Sequence, residues 1–133
     1  MLQVDNVVVF YGDLQALWGV SLTVGDAEIV TLVGSNGAGK STTLKTITGL
    51  LRPSTGNIRY DGNSIDKLPM HKIVEMGICM VPEGRRLFPG MTVLENLEMG
   101  SFINRARESS EKTLNWIYNY HIHRTLLVRL LNN

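Results

Sequence analysis

The sequence predicts an α/β fold: a partial parallel core, an antiparallel sheet at its N-terminal edge, and helices towards its C-terminus. Two strand patterns come first, one rich in valine and one that alternates loosely, with no helix between them, which is typical of antiparallel neighbours. A glycine-rich loop over 34–42 then separates an apolar strand pattern from a helical one. A further apolar run at 78–81 follows a short helical pattern, so the core is predicted to be parallel and short of several strands.

The elements follow in order from local signals. Strands are predicted at 2–10, 16–24, 28–33, 57–60 and 78–81. Two of them are apolar and are predicted to be buried: 28–33, which precedes the glycine loop, and 78–81, which precedes Pro82. Helices are predicted over 44–51, from Pro69 to 75, over 92–99 and from 106 onward. Arg52 and Pro53 end the first helix, and Thr92 with Glu95 has the spacing of a capping box that begins the third.

The loop between the third strand and the first helix carries the clearest chemistry. It fits G-x-x-x-x-G-K-[ST], and its residues are Gly34, Ser35, Asn36, Gly37, Ala38, Gly39, Lys40, Ser41 and Thr42. Glycines let the backbone turn tightly and approach a bulky anion, so that successive N–H groups form a concave anion site. Lys40 can add a positive charge against phosphates, and the Ser41 hydroxyl is an oxygen ligand suited to Mg²⁺. We therefore predict a nucleotide phosphate site at a helix N-terminus.

Composition excludes several other classes. The chain has 133 residues, enough for one domain, and its formal charge of +1 does not indicate nucleic-acid binding. Its single cysteine, Cys79, is predicted to be a small buried hydrophobe. There is no signal-peptide pattern and no apolar run of about 18 residues, so we expect no membrane span.

These motifs resemble the ATP-binding subunits of ATP-binding cassette (ABC) transporters. The stretch 30–49 carries the general resemblance, and 77–89 with 91–97 is similar to the subunits of branched-chain amino acid importers. The likeness covers roughly 2–103. It implies a P-loop nucleoside-triphosphatase fold of the ABC type, with ATP and Mg²⁺ as ligands.

The resemblance also implies roles for residues outside the loop. Tyr11 matches the aromatic that stacks on adenine; without the resemblance, it is a turn tyrosine packed on the edge sheet. Glu83 occupies the position of a Mg²⁺-site residue that most relatives have as glutamine; otherwise it is a solvated carboxylate. Arg85 and Arg86 are implied to face a partner subunit.

The family's partners are transmembrane permease subunits and a second ATP-binding subunit, so the resemblance implies a cytoplasmic protein held peripherally at the inner face of the plasma membrane. The sequence contains no Asp-Glu pair and no Ser-Gly-Gly, the parts with which the family polarises water and closes the partner's site. We therefore expect these 133 residues to bind ATP, with Glu83 as the single candidate for a catalytic role.

The domain organisation is predicted as one partial ATP-binding domain over 1–133. Within it, 2–103 resembles the family, 104–120 is a helical segment, and 121–133 is a divergent tail that a frameshift or early stop would explain. A helix packing on the core, a basic surface anchor and a metal pair at His121 and His123 are alternatives for the tail. Open strand edges and the apolar tail lead us to expect marginal stability and self-association.

Two other functions remain open from the sequence. One is a nucleotide-responsive binding module without catalysis, which would use the same residues. The other is a small P-loop kinase, which would need a further carboxylate and a lid arginine beside the loop.

Overall fold

The computed structural model describes residues 1–84 and 86–131, and side chains at all of these except 104, 105 and 121–131. The chain divides into two compact units, Met1–Val81 and Pro82–Asn133. None of the described helices is long and apolar enough to cross a membrane. The predicted P-loop lies in the first unit.

A four-stranded sheet forms the first unit, with strand order β2-β1-β3-β4. Its strands are β1 (Leu2–Tyr11), β2 (Leu14–Val24), β3 (Thr55–Tyr60) and β4 (Asn63–Ser64), all paired antiparallel. The predicted antiparallel edge sheet is therefore confirmed, and its first two strands begin and end close to the predicted residues. The short strand β4 was not predicted, because two polar residues carry no strand pattern.

Two helices, α1 (Lys40–Ile47) and α2 (Met70–Glu75), complete the first unit. Buried apolar residues of β1, β2, β3 and both helices, with the residue that follows β4, form the core: Val4, Val7, Val9, Leu17, Ile47, Ile58, Ile65 and Ile73. The predicted helix at Pro69 is confirmed, with Pro69 at the N-cap. The sheet therefore packs its inner face on the helix that opens at the loop.

The helix α1 ends four residues before the predicted end at 51. Gly49 has a left-handed backbone with φ 75°, and its N–H donates to the Thr46 carbonyl at 3.1 Å. The Leu50 N–H donates to the Lys45 carbonyl at 2.9 Å. This pair of bonds is the Schellman motif, in which a glycine turns the chain out of the helix. Leu50 and Leu51 have helical spacing in sequence, but they lie beyond the cap.

The predicted strands at 28–33 and 78–81 are wrong as elements. Neither segment is a strand in the described structure, and Ile29 and Val81 are 95% and 93% exposed. Cys79, predicted to be buried, is exposed. A parallel strand exists only through hydrogen bonds to neighbouring strands, and among the described residues neither segment is paired with a strand. The parallel part of the predicted core is therefore absent from the described sheet.

The second unit contains the helices α3 (Val93–Met99), α4 (Asn104–Arg107) and α5 (Ser110–Leu131). The predicted capping box is present at the start of α3: the Thr92 side chain accepts from the Glu95 N–H at 3.3 Å, and the Glu95 carboxylate accepts from the Thr92 N–H at 2.7 Å. This confirms the predicted helix at 92–99. The helical character predicted from 106 onward is also confirmed, although α4 begins earlier and a break precedes α5.

One amide side chain ties the preceding loop to α3. The Nδ2 of Asn96 donates to the carbonyls of Phe88 and Met91 at 3.2 Å each and of Thr92 at 2.9 Å. Its Oδ1 accepts from the Phe88 N–H at 2.9 Å. An amide offers two donor hydrogens and an acceptor oxygen, so it can satisfy several backbone groups at once. The backbone from 88 to 92 is thereby fixed against the helix.

We expect the start of α3 to loosen at acid pH. The backbone N–H of Thr92, and then its hydroxyl, hold the pKa of Glu95 below its ordinary value of 4.5. Because the pKa is lowered by folding, this stabilisation is present above the unfolded pKa and is lost as the pH falls through the folded one. Hydrogen exchange at the Thr92 amide should therefore quicken, beyond its intrinsic pH dependence, below about pH 4.5.

The variant Glu95→Gln keeps an acceptor for the capping box but cannot titrate, so it should abolish that extra pH dependence. The matched control is Glu98→Gln, which removes the other carboxylate of α3 and should leave the dependence intact. Identical pH profiles for Glu95→Gln and the unaltered protein would contradict the assignment.

Candidate nucleotide-binding site

The loop before α1 has the backbone of an anion-binding turn. Gly37 and Gly39 both lie in the left-handed region, with φ 87° and 86°. The Ala38 N–H donates to the Ser35 carbonyl at 3.2 Å, and the Thr43 N–H donates to the Gly39 carbonyl at 2.8 Å. Left-handed turns interleaved with right-handed residues turn successive N–H groups to one side of the chain. Glycines are needed here because residues with a side chain rarely adopt this backbone conformation.

Several backbone donors of the loop and of the first helical turn have no acceptor. Among the described residues, none accepts a hydrogen bond from the N–H groups of Ser35, Asn36, Gly37, Gly39, Lys40, Ser41 and Thr42. The first N–H groups of any helix lack a partner within it, and they carry the positive end of the helix dipole. This concentration of free donors favours an anion at the N-terminus of α1.

Lys40 adds a full positive charge to the loop. Its Nζ donates to the carbonyl oxygens of Gly34 and Ser35, at 2.7 Å in both cases. The side chain therefore folds back from the helix over the start of the loop. The sequence predicted a lysine aimed at phosphates, and the structure places its charge inside the loop that would hold them.

Ser41 is exposed in the first turn of α1, where its hydroxyl can be offered to a cation. Among the described residues, there is no group of three or more His, Cys, Asp or Glu side chains that could hold a metal ion. Mg²⁺ commonly keeps its waters and takes most other ligands from substrate phosphates, with only one or two from protein. The residues present therefore fit a Mg²⁺ that arrives with a nucleotide, and Ser41 is the residue that would contact it.

Strand β2 of the edge sheet contacts the loop at Gly39. A Cβ added to Gly39 would lie 2.6 Å from Cδ2 of Leu17 and 3.4 Å from the carbonyl oxygen of Ala16, both in β2. The sequence does not indicate Leu17 as a residue of the site. Its strand pattern indicated a core position, and no sequence signal shows which loop such a residue touches.

Tyr11 lies at the last position of β1, opposite Leu14, and is 43% exposed. Two residues earlier, Val9 is the Cα partner of Leu17, the residue that contacts Gly39. Along a strand, two residues span about 7 Å. The hairpin that supports the loop therefore also carries an accessible aromatic ring.

The other predicted residues belong to the second unit. Glu83 is exposed and belongs to the second unit. Arg86 is exposed in the same unit, while Arg85 is outside the described residues. The side chains of His121 and His123 are outside them as well.

Comparison with known proteins identifies the family. A family model described as "ABC transporter" matches residues 17–131. The chain belongs to the ABC transporter family. The match includes the loop, both helices of the first unit and the second unit up to 131. The division into 2–103, 104–120 and 121–133 stays a prediction.

Curated members of the ABC family narrow the resemblance. The chain is 51% identical over 102 residues to the high-affinity branched-chain amino acid transport ATP-binding protein BraG of Pseudomonas aeruginosa, covering 77% of this chain and 44% of BraG. Identity to BraF of the same organism is 41% over 97 residues, covering 73% and 38%. The predicted resemblance to this importer type is confirmed. The chain spans less than half the length of either relative.

Solved structures of ABC proteins agree with the fold. The chain superposes with a TM-score of 0.68 and 28% identity on a dimeric, post-hydrolysis ATP-binding cassette, MJ0796, bound to ADP and Pi; 86% of this chain and 56% of the other are covered. An ATP-binding subunit of an ABC transporter gives a TM-score of 0.67 and 33% identity, over 76% of this chain and 41% of the other. The predicted fold class, a P-loop cassette of the ABC type, is confirmed.

Proposed function

We propose that this ABC chain is the nucleotide-binding part of a branched-chain amino acid importer and that it binds Mg-ATP through residues 34–42. The observation that carries the proposal is the set of free N–H donors at the start of α1, beside the Lys40 ammonium. A triphosphate offers many anionic oxygens, which match several donors and one cation at once. The importer class is supported by the similarity to BraG and BraF, which are branched-chain amino acid transport ATP-binding proteins.

Each proposed site residue then has one role. The N–H groups of the loop and Lys40 bind phosphate oxygens, and the Ser41 hydroxyl contacts Mg²⁺. Tyr11 stacks on the base. By the family resemblance, Glu83 is proposed as a second Mg²⁺ ligand. Permease subunits and a second ATP-binding subunit are the proposed partners, which would hold the chain at the inner face of the plasma membrane.

Isothermal calorimetry with Mg-ATP, Mg-tripolyphosphate and adenosine tests the proposal. We expect saturable binding of the two phosphate ligands and weak binding of adenosine, because the charged donors contact phosphate alone. The proposal fails if neither phosphate ligand binds.

The stacking role of Tyr11 predicts a ligand-specific effect. Tyr11→Ala should weaken ATP binding by about 1–3 kcal/mol, the usual range for stacking of a base on an aromatic side chain. Binding of tripolyphosphate should be unchanged, since it has no base. Calorimetry with both ligands measures the difference.

The matched control is Trp18→Ala, which removes an aromatic that is 78% exposed on the other strand of the same hairpin. It should leave both affinities unchanged. If Tyr11→Ala weakens both ligands equally, then Tyr11 supports the hairpin and does not contact the base.

We also predict that the 133-residue polypeptide binds ATP without measurable turnover. Hydrolysis needs a positioned water and a stabilised phosphoryl group in addition to phosphate binding. The family supplies the first with an Asp-Glu pair, which these residues do not contain. Phosphate release in the presence of Mg²⁺ should therefore equal that of a Lys40→Ala control. The usual range of enzyme turnover is roughly 1–10³ s⁻¹. Turnover of about 1 s⁻¹ or more that disappears in the Lys40→Ala variant would overturn this prediction.

A further inference from the structure

Leu17 is buried in the sheet, yet it touches the phosphate-binding loop. Its side chain is 2% exposed and belongs to the core cluster. Its Cδ2 lies 2.6 Å from the point that a Cβ on Gly39 would occupy, which puts the leucine methyl in van der Waals contact with the glycine backbone. The strand thus meets the loop at the residue that immediately precedes α1.

Gly39 determines how the site is presented. It is the N-cap of α1 and has a left-handed backbone, and its carbonyl accepts the first helical hydrogen bond from Thr43 at 2.8 Å. A displacement of Gly39 therefore displaces the N–H groups of Lys40 and Ser41. Charge-assisted hydrogen bonds depend steeply on distance and angle, so a binding site must be held to within about 0.5 Å.

The position of Leu17 is itself fixed by the sheet. Its Cα pairs with Val9, which is fully buried on β1. Packed interiors are dense and transmit small displacements instead of absorbing them. The Leu17 side chain therefore limits how far the loop can move towards the sheet, even though it carries no group that could bind a phosphate.

The geometry points to Leu17 as a positioning residue of the nucleotide site: its δ-methyl sets the place of Gly39 and, through it, the donors that bind phosphate. This inference rests on the proposed function and deepens it. The phosphate affinity of the site depends on an apolar side chain of the edge sheet.

A pair of one-methylene deletions separates positioning from general stability. Leu17→Val removes Cδ2, the atom that lies against Gly39, and keeps a residue that suits a strand. Ile58→Val removes a methylene from a core residue of β3 that is equally buried. Both variants should fold and show comparable, small losses of melting temperature.

Binding of Mg-tripolyphosphate by calorimetry then decides the question. We expect Leu17→Val to lower the affinity for Mg-tripolyphosphate about tenfold, which is the loss that follows when one charge-assisted hydrogen bond to the phosphates is misaligned. Ile58→Val should bind as tightly as the unaltered protein. Leu17→Met, which conserves the volume and length of the side chain, should retain most of the affinity of the unaltered protein.

Equal affinity of Leu17→Val and the unaltered protein overturns the inference, and so do equal losses for Leu17→Val and Ile58→Val. Failure of the unaltered protein to bind tripolyphosphate is a different outcome. It overturns the proposed function itself, so the two failures are distinguishable.

Discussion

Replacing Lys40 by alanine should weaken Mg-ATP binding by about 10- to 150-fold. Hydrogen bonds to a charged group contribute about 1.5–3 kcal/mol, and each 1.4 kcal/mol is a factor of ten. Lys40 supplies the one full charge of the loop, since the other residues of 34–42 are uncharged. Calorimetry on the alanine variant and the unaltered protein, under the same Mg²⁺ and salt, gives the ratio of affinities.

Lys45 provides the matched control for this experiment. It is a lysine in the last turn of the same helix α1, away from the loop. Lys45→Ala should therefore change ATP affinity little, although it removes the same charge from the chain. Equal affinities for Lys40→Ala and the unaltered protein would remove the basis for assigning the loop to phosphate.

The second large effect is expected from Gly39→Ala, which should destabilise the first unit by about 2–5 kcal/mol. A left-handed backbone costs an L-residue roughly 1–2 kcal/mol, and overpacking adds about 1–3. The added Cβ would lie 2.6 Å from Leu17 Cδ2, closer than real contacts allow. Denaturant unfolding followed by circular dichroism measures the change.

Gly37→Ala separates backbone strain from overpacking. Gly37 has nearly the same φ, 87° against 86°, but nothing lies within 4 Å of its added Cβ. It should therefore lose only about 1–2 kcal/mol. Adding Leu17→Val to Gly39→Ala should recover part of the lost stability, since the clashing methyl is removed. Equal costs at the two glycines would show that the Leu17 contact is unimportant for stability.

Local signals in the sequence were sufficient for the loop and the edge sheet. The glycine pattern at 34–42 permits the left-handed backbone seen at Gly37 and Gly39, and the spacing of Thr92 and Glu95 specifies a cap within one helical turn. The hairpin of β1 and β2 follows from two strand patterns that have no helix between them. Each of these features is determined by residues close together in the chain.

What the sequence could not predict depends on distant partners. Residues 28–33 have the composition of a buried strand, but composition does not supply the neighbouring strand that would make them one. Leu50 and Leu51 continue an apolar spacing, while Gly49 ends the helix before them. The contact of Leu17 with Gly39 joins a strand to a loop 22 residues later, and nothing local records it.

The two carbonyl contacts of Lys40 also bear on which anions bind well to the loop. The oxygens of Gly34 and Ser35, each 2.7 Å from the ammonium, engage two of its three donor hydrogens. An anion that uses more than the remaining donor gives up those contacts, so its net gain is the difference between two sets of hydrogen bonds. A triphosphate also engages the free N–H groups of the loop, whereas a chloride ion is too small to reach several of them at once. Chloride should therefore compete poorly with a triphosphate for the loop.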